Sequence, residues 1–378
     1  MRQLPKITNR ALLAIFMALS LFPTLVYSDV NLRLMTWLGY APETQVKTFE
    51  KAMKEKYQKQ VKVTVHYINS YEEAFSFIRR GEADIVTLVD HILHDGRFQY
   101  IRNQLILPLK RDLIPNYQSV FKTYKPYGEH DGQVYGVPVA SGPYGLAYNT
   151  RYFKEAPKSW NILWDEQYKG KYAITNGIFE VNLYITALSM GYSREDLGNF
   201  EKLNNLAFKT KLRALVKNSE SFWPGIDEGH HLKGLHLATS WGFSMPELKR
   251  LGENWKMAEP EEGSPTWIDV NTINQSVAGD PLKYSIAHEW INFTISPDFQ
   301  IEAIVNGIAT PPVTETAKSR LSHEQIKDFN LDDKEFLNKY RVVYPTIKFE
   351  RNRNGIRYLW EEANKGISKK VRPAPNED

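Results

Sequence analysis

Residues 31–89 indicate the fold class, because they hold three strand-like segments: NLRLMTW (31–37), KVTVHYI (62–68) and DIVTLV (84–89). The two segments between them, 42–59 and 71–80, carry apolar residues at the spacing of one helix face. The alternation predicts an α/β sheet with parallel strands, since each helix returns the chain to the same end of the sheet.

Ligands of open parallel sheets lie beyond the carboxyl ends of the strands, which here means residues 37–40 and 89–91. A stretch punctuated by proline and glycine, from Tyr135 to Pro143, interrupts the pattern before a second α/β series begins at Gly145. We therefore expect two lobes joined by crossings of the chain. Their predicted extents are 29–137 plus about 255–308 for the first lobe, and 138–254 plus about 309–378 for the second.

The N-terminus has the pattern of a signal peptide. Three basic residues precede an apolar run over residues 11–26, and the run ends in Val26-Tyr27-Ser28. The run is shorter than the roughly 20 residues that span a bilayer, so we predict cleavage after Ser28 and an exported, periplasmic protein. Removing the peptide lowers the formal charge from +4 to +1. This charge balance gives no reason to expect a nucleic-acid partner.

The 378 residues include no cysteine, which excludes disulfide frameworks, thiolate metal sites and cysteine nucleophiles. The sequence also has no nucleophile elbow, phosphate-binding loop or dinucleotide fingerprint, so we expect neither an enzyme nor a bound cofactor. The spacings of His91 with His94, and of the histidines at 230, 231 and 236, fit no standard metal-ligand set. Glu180 and Asp269 could serve as a carboxylate pair for glycoside hydrolysis, which leaves an exported hydrolase open.

Several motifs resemble one family over nearly the whole predicted mature chain. They are YGVP (135–138), SWNILWDEQYKGK (159–171), EGSPTWID (262–269), AHEWINF with SPD (287–298) and GIATP (307–311). In order and spacing they resemble the periplasmic spermidine/putrescine-binding proteins of ABC importers. The resemblance implies a hinged, two-lobed type II periplasmic binding protein fold, a polyamine ligand and a membrane permease as partner.

The resemblance also implies which side chains contact the ligand. They are Trp37, Tyr40, His91, Glu180, Trp241, Trp267 and Asp269. Asp269 matches the family's principal amine-pairing carboxylate. Two acids of the family pattern are replaced by Gly39 and Gly177, the residue at 89 is valine, and a late glutamine position falls on Arg351.

These residue types suit a chain of methylenes that carries ammonium groups. An aromatic face attracts an ammonium by roughly 0.5–2 kcal/mol and covers the methylenes beside it. Carboxylates at fixed spacing select the length of the ligand. With two acids lost, we expect a triamine of the spermidine or norspermidine type, with Asp269 and Glu180 as anchors.

Three functions remain open at this point. The first is a carrier that closes on a polyamine in the periplasm and delivers it to an ABC permease. The second is a polyamine sensor of the same fold that docks on a membrane signalling protein controlling cyclic-di-GMP and biofilm growth. The third is an exported binder of another organic cation, or a hydrolase.

Overall fold

The computed structural model describes residues 29–372, apart from 334 and 348. The predicted signal peptide lies outside the described residues. The strands are β1 Val30–Thr36, β2 Val61–Tyr67, β3 Ile85–Val89, β4 Ile106–Leu107, β5 Glu129–His130, β6 Gln133–Val134, β7 Gly136–Pro143, β8 Gly145–Asn149, β9 Tyr172–Thr175, β10 Ser221–Trp223, β11 Leu237–Ser240, β12 Trp255–Ala258, β13 Ser264–Asn274 and β14 Arg341–Val343.

The α-helices are α1 Glu43–Tyr57, α2 Tyr71–Arg80, α3 Asp90–Leu93, α4 Glu180–Ser189, α5 Phe200–Leu203, α6 Leu206–Asn218, α7 Gly229–Leu232, α8 Met245–Arg250, α9 Pro281–Thr294, α10 Pro297–Phe299, α11 Asn306–Ile308, α12 Glu315–Lys318, α13 His323–Asp328, α14 Phe336–Tyr340 and α15 Glu350–Asn364. A π-helical turn, Gln300–Val305, joins α10 to α11. None of the helices among the described residues is long and apolar enough to cross a bilayer.

The helices α1 and α2 form where their apolar spacing predicts. In α1 the side chains of Val46, Phe49 and Met53 are buried along one face. In α2 the Ser70 side chain caps the first turn by accepting a hydrogen bond from the Glu73 N–H, and Gly81 ends the helix at a φ of 65°. A cap that accepts this hydrogen bond and a left-handed glycine are the usual signals for the start and the end of a helix.

The first lobe is built on a seven-stranded sheet. Its main path is β14-β13-β3-β1-β2, and both β4 and β7 also pair with β13. β1 runs parallel to β2 and β3, as predicted, whereas β13 runs antiparallel to β3 and β7. The second lobe is built on a five-stranded sheet in the order β10-β9-β11-β8-β12, in which β9, β10 and β11 are parallel.

The chain passes between the two sheets three times. The crossings lie between Pro143 and Gly145, between Ala258 and Ser264, and between Val343 and Glu350. Two contacts connect the crossing segments. The Tyr144 N–H donates to the Pro265 carbonyl at 2.6 Å, and Arg341 forms a bidentate ion pair with Glu259 at 2.6 and 2.9 Å.

The lobe boundaries stay a prediction, but we propose to move them to these crossings. Residues 138–143 belong to β7 of the first sheet, because the backbone pairs with β13 and the pairing shifts register near Pro138. Proline is tolerated at such an irregularity, so the residues that suggested a break lie inside a strand. Residues 255–258 pair in the second sheet, and 341–343 pair in the first. The end of the chain packs on the second lobe, where α15 contacts α4, α5 and α6.

Candidate functional site

The parallel strands of both sheets end at one cleft between the lobes. Trp37 follows β1, Tyr71 follows β2, and Val89 ends β3; in the second lobe Gly225 follows β10 and Trp241 follows β11. We call the space between them the inner cavity. It measures about 380 Å³ including the part open to solvent, and it is lined by Trp37, Tyr71, Val89, Ile178, Gly225, Ile226, Trp241, Phe243, Trp267, Asp269 and Tyr344.

Asp269 supplies the carboxylate of the inner cavity. It lies in β13 opposite Val89 and Ala140, and its side chain is buried. The Tyr40 hydroxyl donates a hydrogen bond to Asp269 Oδ2 at 2.6 Å, whereas Oδ1 has no partner among the described residues. Burial raises the pKa of Asp269 to about 8, although the hydrogen bond from Tyr40 acts in the opposite direction.

The walls of the inner cavity are aromatic. The rings of Trp37 and Tyr71 meet edge to face with their centroids 6.0 Å apart in the first lobe. The ring centroid of Phe243, in the second lobe, lies 5.9 Å from that of Trp267 and 6.5 Å from that of Tyr40. Aromatic side chains of the two lobes therefore meet across the cleft. Such rings offer faces to a cation and apolar surface to a hydrocarbon chain.

Unpaired polar atoms concentrate in the inner cavity. Eleven buried side-chain atoms of the described residues have no hydrogen-bond partner, and five of them belong to residues that line this cavity: Trp37 Nε1, Tyr71 OH, Trp267 Nε1, Asp269 Oδ1 and Tyr344 OH. Buried polar groups in proteins are nearly always paired. A cluster of exceptions at one place indicates a site that is completed by a ligand.

The second-lobe wall is fixed by a buried acid that the sequence analysis did not find. Asp227 accepts hydrogen bonds from the Trp241 N–H at 2.8 Å and from the Ser240 hydroxyl at 2.6 Å. Burial raises the pKa of Asp227. The indole N–H of Trp241 donates to the Gly225 carbonyl at 3.0 Å, so both ends of this tryptophan are held and its ring orientation is set.

Glu180 lies in a neighbouring space, which we call the outer cavity. It begins helix α4, is half-buried, and shares this space with Arg97, Arg357, Glu72 and Glu361. Burial raises the pKa of Glu180, and the positive charges of Arg97 and Arg357 act against that rise. The outer cavity measures about 770 Å³ including open solvent, and Tyr71 and Ile178 line both cavities.

The remaining predicted residues lie behind these walls. Tyr40 does not line the inner cavity but supports Asp269 from the side. The ring of His91 packs edge to face against Tyr71 at 5.8 Å and Tyr344 at 5.0 Å, and burial lowers its pKa to about 4. His91 is therefore a neutral support for two cavity tyrosines.

Arg351 lies away from both cavities. Its guanidinium pairs with Glu201 at 2.6 Å, and both side chains are largely exposed on the second lobe. Tyr344, which follows β14 in the third crossing, is the residue of this part of the chain that lines the inner cavity.

The two replaced acids have steric explanations. Gly39 has a φ of +91°, and a Cβ built there would lie 2.6 Å from Cγ2 of Ile308. A Cβ at Gly177 would lie 2.5 Å from the backbone nitrogen of Gly225. A side chain at either position would require neighbouring atoms to move, so this chain has closed the space that an acid would occupy.

Glu228, His230 and His231 bring three potential metal-ligating atoms within 4.8 Å of one another. His231 Nδ1, however, accepts a hydrogen bond from the Glu228 N–H at 3.0 Å, and the two residues form a capping box at the start of α7. This arrangement is that of a helix cap.

Sequence reasoning missed Tyr71, Ile178, Phe243 and Tyr344 as cavity residues. Tyr71 begins the segment 71–80, for which the apolar spacing predicts only a helix face. The position of Tyr71 along the chain could have identified it. Tyr71 and Ile178 both lie just beyond the carboxyl end of a parallel strand, which is the reason for predicting Trp37 as a ligand contact. No comparable signal marked Tyr344, because its strand β14 is three residues long and far along the chain.

The chain is similar to known binding proteins. The profile of the family described as "Bacterial extracellular solute-binding protein" matches residues 83–339. The spermidine/putrescine-binding periplasmic protein of Escherichia coli (strain K12) is 23% identical over 326 residues, which cover 83% of this chain and 87% of the relative.

Two solved structures share the fold. The spermidine/putrescine ABC transporter substrate-binding protein PotD of Streptococcus pneumoniae, solved with calcium and HEPES, superposes with a TM-score of 0.70 at 21% identity, covering 89% of this chain and 99% of that one. The TpPotD lipoprotein of Treponema pallidum gives 0.66 at 18% identity, covering 88% and 99%. The predicted type II periplasmic binding protein fold is confirmed, as is the resemblance to spermidine/putrescine-binding proteins.

Proposed function

Because the chain belongs to the family of bacterial extracellular solute-binding proteins, we propose that it binds a polyamine of the spermidine or norspermidine type and delivers it to an ABC permease. The observation that carries this proposal is the buried Asp269 carboxyl, whose Oδ1 faces an aromatic cavity without a partner. The relatives named for spermidine and putrescine support the same ligand class.

The inner cavity favours an ammonium over other ligand groups. None of the described residues that line it is basic, so an anionic group would meet a carboxylate with no compensating cation. A sugar would need several paired hydroxyl contacts, whereas most of the lining is aromatic or aliphatic. An ammonium would pair with Asp269 and lie against indole and phenol faces, while the methylenes would cover the aliphatic wall of Ile178 and Ile226.

Binding is coupled to the state of the Asp269 carboxyl. Burial holds this group largely protonated at neutral pH when no cation is present. An incoming ammonium stabilises the carboxylate, so the proton is released as the ion pair forms. The Tyr40 hydroxyl continues to donate to Oδ2 and leaves Oδ1 for the ligand.

The ligand also joins the lobes. The first lobe contributes Trp37 and Asp269 to the inner cavity, and the second contributes Trp241 and Phe243. A ligand that contacts both sides binds the closed form better than an open one and shifts the population toward closure. A membrane partner can then recognise the closed form.

Isothermal titration calorimetry with a series of diamines, triamines and tetramines tests the ligand class. We expect heat with the amines, largest for triamines, and none with sugars, amino acids or divalent metal ions. Heat with a sugar, an amino acid or a metal and with no amine would overturn the proposal.

The partner is tested by capture from membranes of the source cell on the immobilised, amine-loaded protein. Recovery of an ABC permease supports delivery to a transporter. Recovery of a membrane signalling protein instead would keep the proposed ligand. It would show that the protein acts as a polyamine sensor and not as a carrier.

A further inference from the structure

Tyr71 occupies the boundary between the two cavities. It lines both the inner and the outer cavity, its side chain is 7% exposed, and its hydroxyl has no hydrogen-bond partner among the described residues. Ile178 of the second lobe lines the same boundary. A linear ligand that extends from one cavity into the other must therefore pass this tyrosine.

The ring of Tyr71 is held in place. Its edge-to-face contacts with Trp37 and His91 have centroid distances of 6.0 and 5.8 Å. Its backbone begins helix α2, whose first turn is fixed by the Ser70 cap. The hydroxyl is consequently a preorganised group, and pairing it would require little additional ordering.

The hydroxyl lies within the electrostatic influence of both predicted anchors. Burial raises the pKa of Tyr71 well above its usual range, and the negative charges of Glu180 and Asp269 raise it further. The hydroxyl is thus neutral at physiological pH and can accept a hydrogen bond through its oxygen. A positive group placed beside it would be favoured by the carboxylates on either side.

We propose that the Tyr71 hydroxyl accepts a hydrogen bond from the internal secondary ammonium of a ligand whose terminal amines lie at Asp269 and Glu180. Tyr71 thereby selects triamines over diamines of equal length. This inference rests on the proposed polyamine function and assigns the part of the ligand that Tyr71 recognises.

The selection follows from the cost of an unpaired buried group. A diamine would place a methylene beside the Tyr71 oxygen and leave it unpaired, whereas a triamine would place an N–H donor there. Sites built to hydrogen-bond a ligand group discriminate strongly against analogues that lack it. Aromatic faces also attract the internal ammonium more strongly than a methylene, so the contribution of the hydroxyl must be separated from that of the ring.

The test uses spermidine and 1,8-diaminooctane, which have the same number of chain atoms between their terminal nitrogens. Affinities are measured by calorimetry for the full mature chain and for Tyr71→Phe, which keeps the ring and removes the hydroxyl. We expect the unaltered protein to prefer spermidine by about tenfold or more. Tyr71→Phe should lower this ratio about tenfold, because it weakens the binding of spermidine while leaving that of 1,8-diaminooctane almost unchanged.

Tyr344→Phe is the matched control, because Tyr344 also has a buried, unpaired hydroxyl but lines only the inner cavity. It should change both affinities by the same factor and keep their ratio. Thermal unfolding monitors whether each variant folds. If Tyr71→Phe folds and keeps the affinity ratio of the unaltered protein, the assignment to the Tyr71 hydroxyl is wrong. If the unaltered protein binds neither amine, the proposed function itself fails.

Discussion

The inner and outer cavities each contain a carboxylate that we propose as a ligand contact, yet the two environments are opposite. Asp269 is buried among aromatic rings, and no basic side chain of the described part of the chain lines its cavity. Glu180 is half-buried and shares its cavity with two arginines and two further acids. The same chemical group is therefore expected to contribute differently in the two places.

The difference follows from solvation. An ion pair in a cavity without water is strong once formed. Removing one partner is costly, because the other charge is then buried with neither solvent nor a partner. An ion pair near solvent is weakened by water and salt. The inner cavity should therefore determine whether an amine binds at all, and the outer cavity should adjust affinity and length preference.

The largest expected effect is that of Asp269→Asn. Removing this carboxylate leaves the ligand's ammonium buried without its partner, which should weaken amine binding by about 3–5 kcal/mol, or more than a hundredfold. Calorimetry measures the loss. Asp131→Asn is the control, since the Asp131 side chain is 92% exposed in a loop. The affinity of this variant for the amine should equal that of the unaltered protein. Equal affinities for the two variants would abolish the distinction between the cavities.

The next prediction concerns pH. The pKa of Asp269 is about 8 in the folded protein against 3.8 in an unfolded chain, so the folded state retains a proton that the unfolded state loses. Between pH 4 and 8 this one group should lower the stability of the ligand-free protein by roughly 1.4 kcal/mol for each unit of rising pH. The ligand, in contrast, should bind more tightly as pH rises toward 8.

Urea unfolding of the ligand-free protein at pH 5, 6, 7 and 8 checks the first part. Asp269→Asn lacks the titrating group, so its stability should fall less steeply than that of the unaltered protein. Parallel curves for the two proteins would show that the carboxyl is ionised in the cavity, and the inner cavity would then resemble the outer one.

The third prediction concerns an ion pair between the lobes close to the outer cavity. Arg353 of α15 donates to Asp95 of the first lobe at 3.0 Å, and both side chains are largely buried. Arg353→Gln should cost the closed form about 1–3 kcal/mol, since a charge-assisted hydrogen bond is lost while Arg97 still contacts Asp95. The ligand-free protein should open.

Small-angle scattering without ligand should give a larger radius of gyration for Arg353→Gln, and added amine should restore it. Arg351→Gln is the matched control, because Arg351 lies on the same helix but pairs with Glu201 within the second lobe. An unchanged radius of gyration for Arg353→Gln would mean that this ion pair does not affect closure, and that contacts in the inner cavity alone determine it.

The smallest expected effect is that of Glu180→Gln. Since Glu180 is partly solvated and flanked by Arg97 and Arg357, its loss should weaken triamine binding by roughly 0.5–1 kcal/mol, a factor of about two to five. The loss should shrink further at high salt. Titrations at low and high ionic strength check this, and a salt-independent loss as large as that of Asp269→Asn would assign Glu180 to a dry site.

Much of this comparison could be predicted from the sequence. Strand order over residues 31–89 placed Trp37 and residues 89–91 at the ligand edge, and the resemblance supplied Trp241, Trp267 and Asp269, which line one cavity. Trp37 and Trp241 line this cavity because the carboxyl ends of parallel strands meet at one edge of a sheet, whereas Trp267 and Asp269 lie within the antiparallel strand β13. Their contact with a ligand stays a prediction.

The separation of the two cavities could not be predicted. Whether Glu180 lies beside Asp269 or beyond Tyr71 depends on how the two lobes pack, and on Arg97 and Arg357, which are distant in sequence. The supporting roles of Tyr40 and His91 depend on side-chain direction, which spacing along a strand end does not fix. The contacts of Gly39 and Gly177 likewise involve residues far along the chain.

The three crossings also determine the order in which the protein can assemble. The five strands of the second sheet all come from residues 145–258, so this sheet can complete its pairing within one continuous segment. The first sheet must wait for β13 and β14, because β3 pairs with a strand almost 200 residues later. Loop closure over such distances is slow, so we expect the second lobe to form first and Asp269 to reach its place late. On this expectation the ligand site forms only after most of the chain has folded.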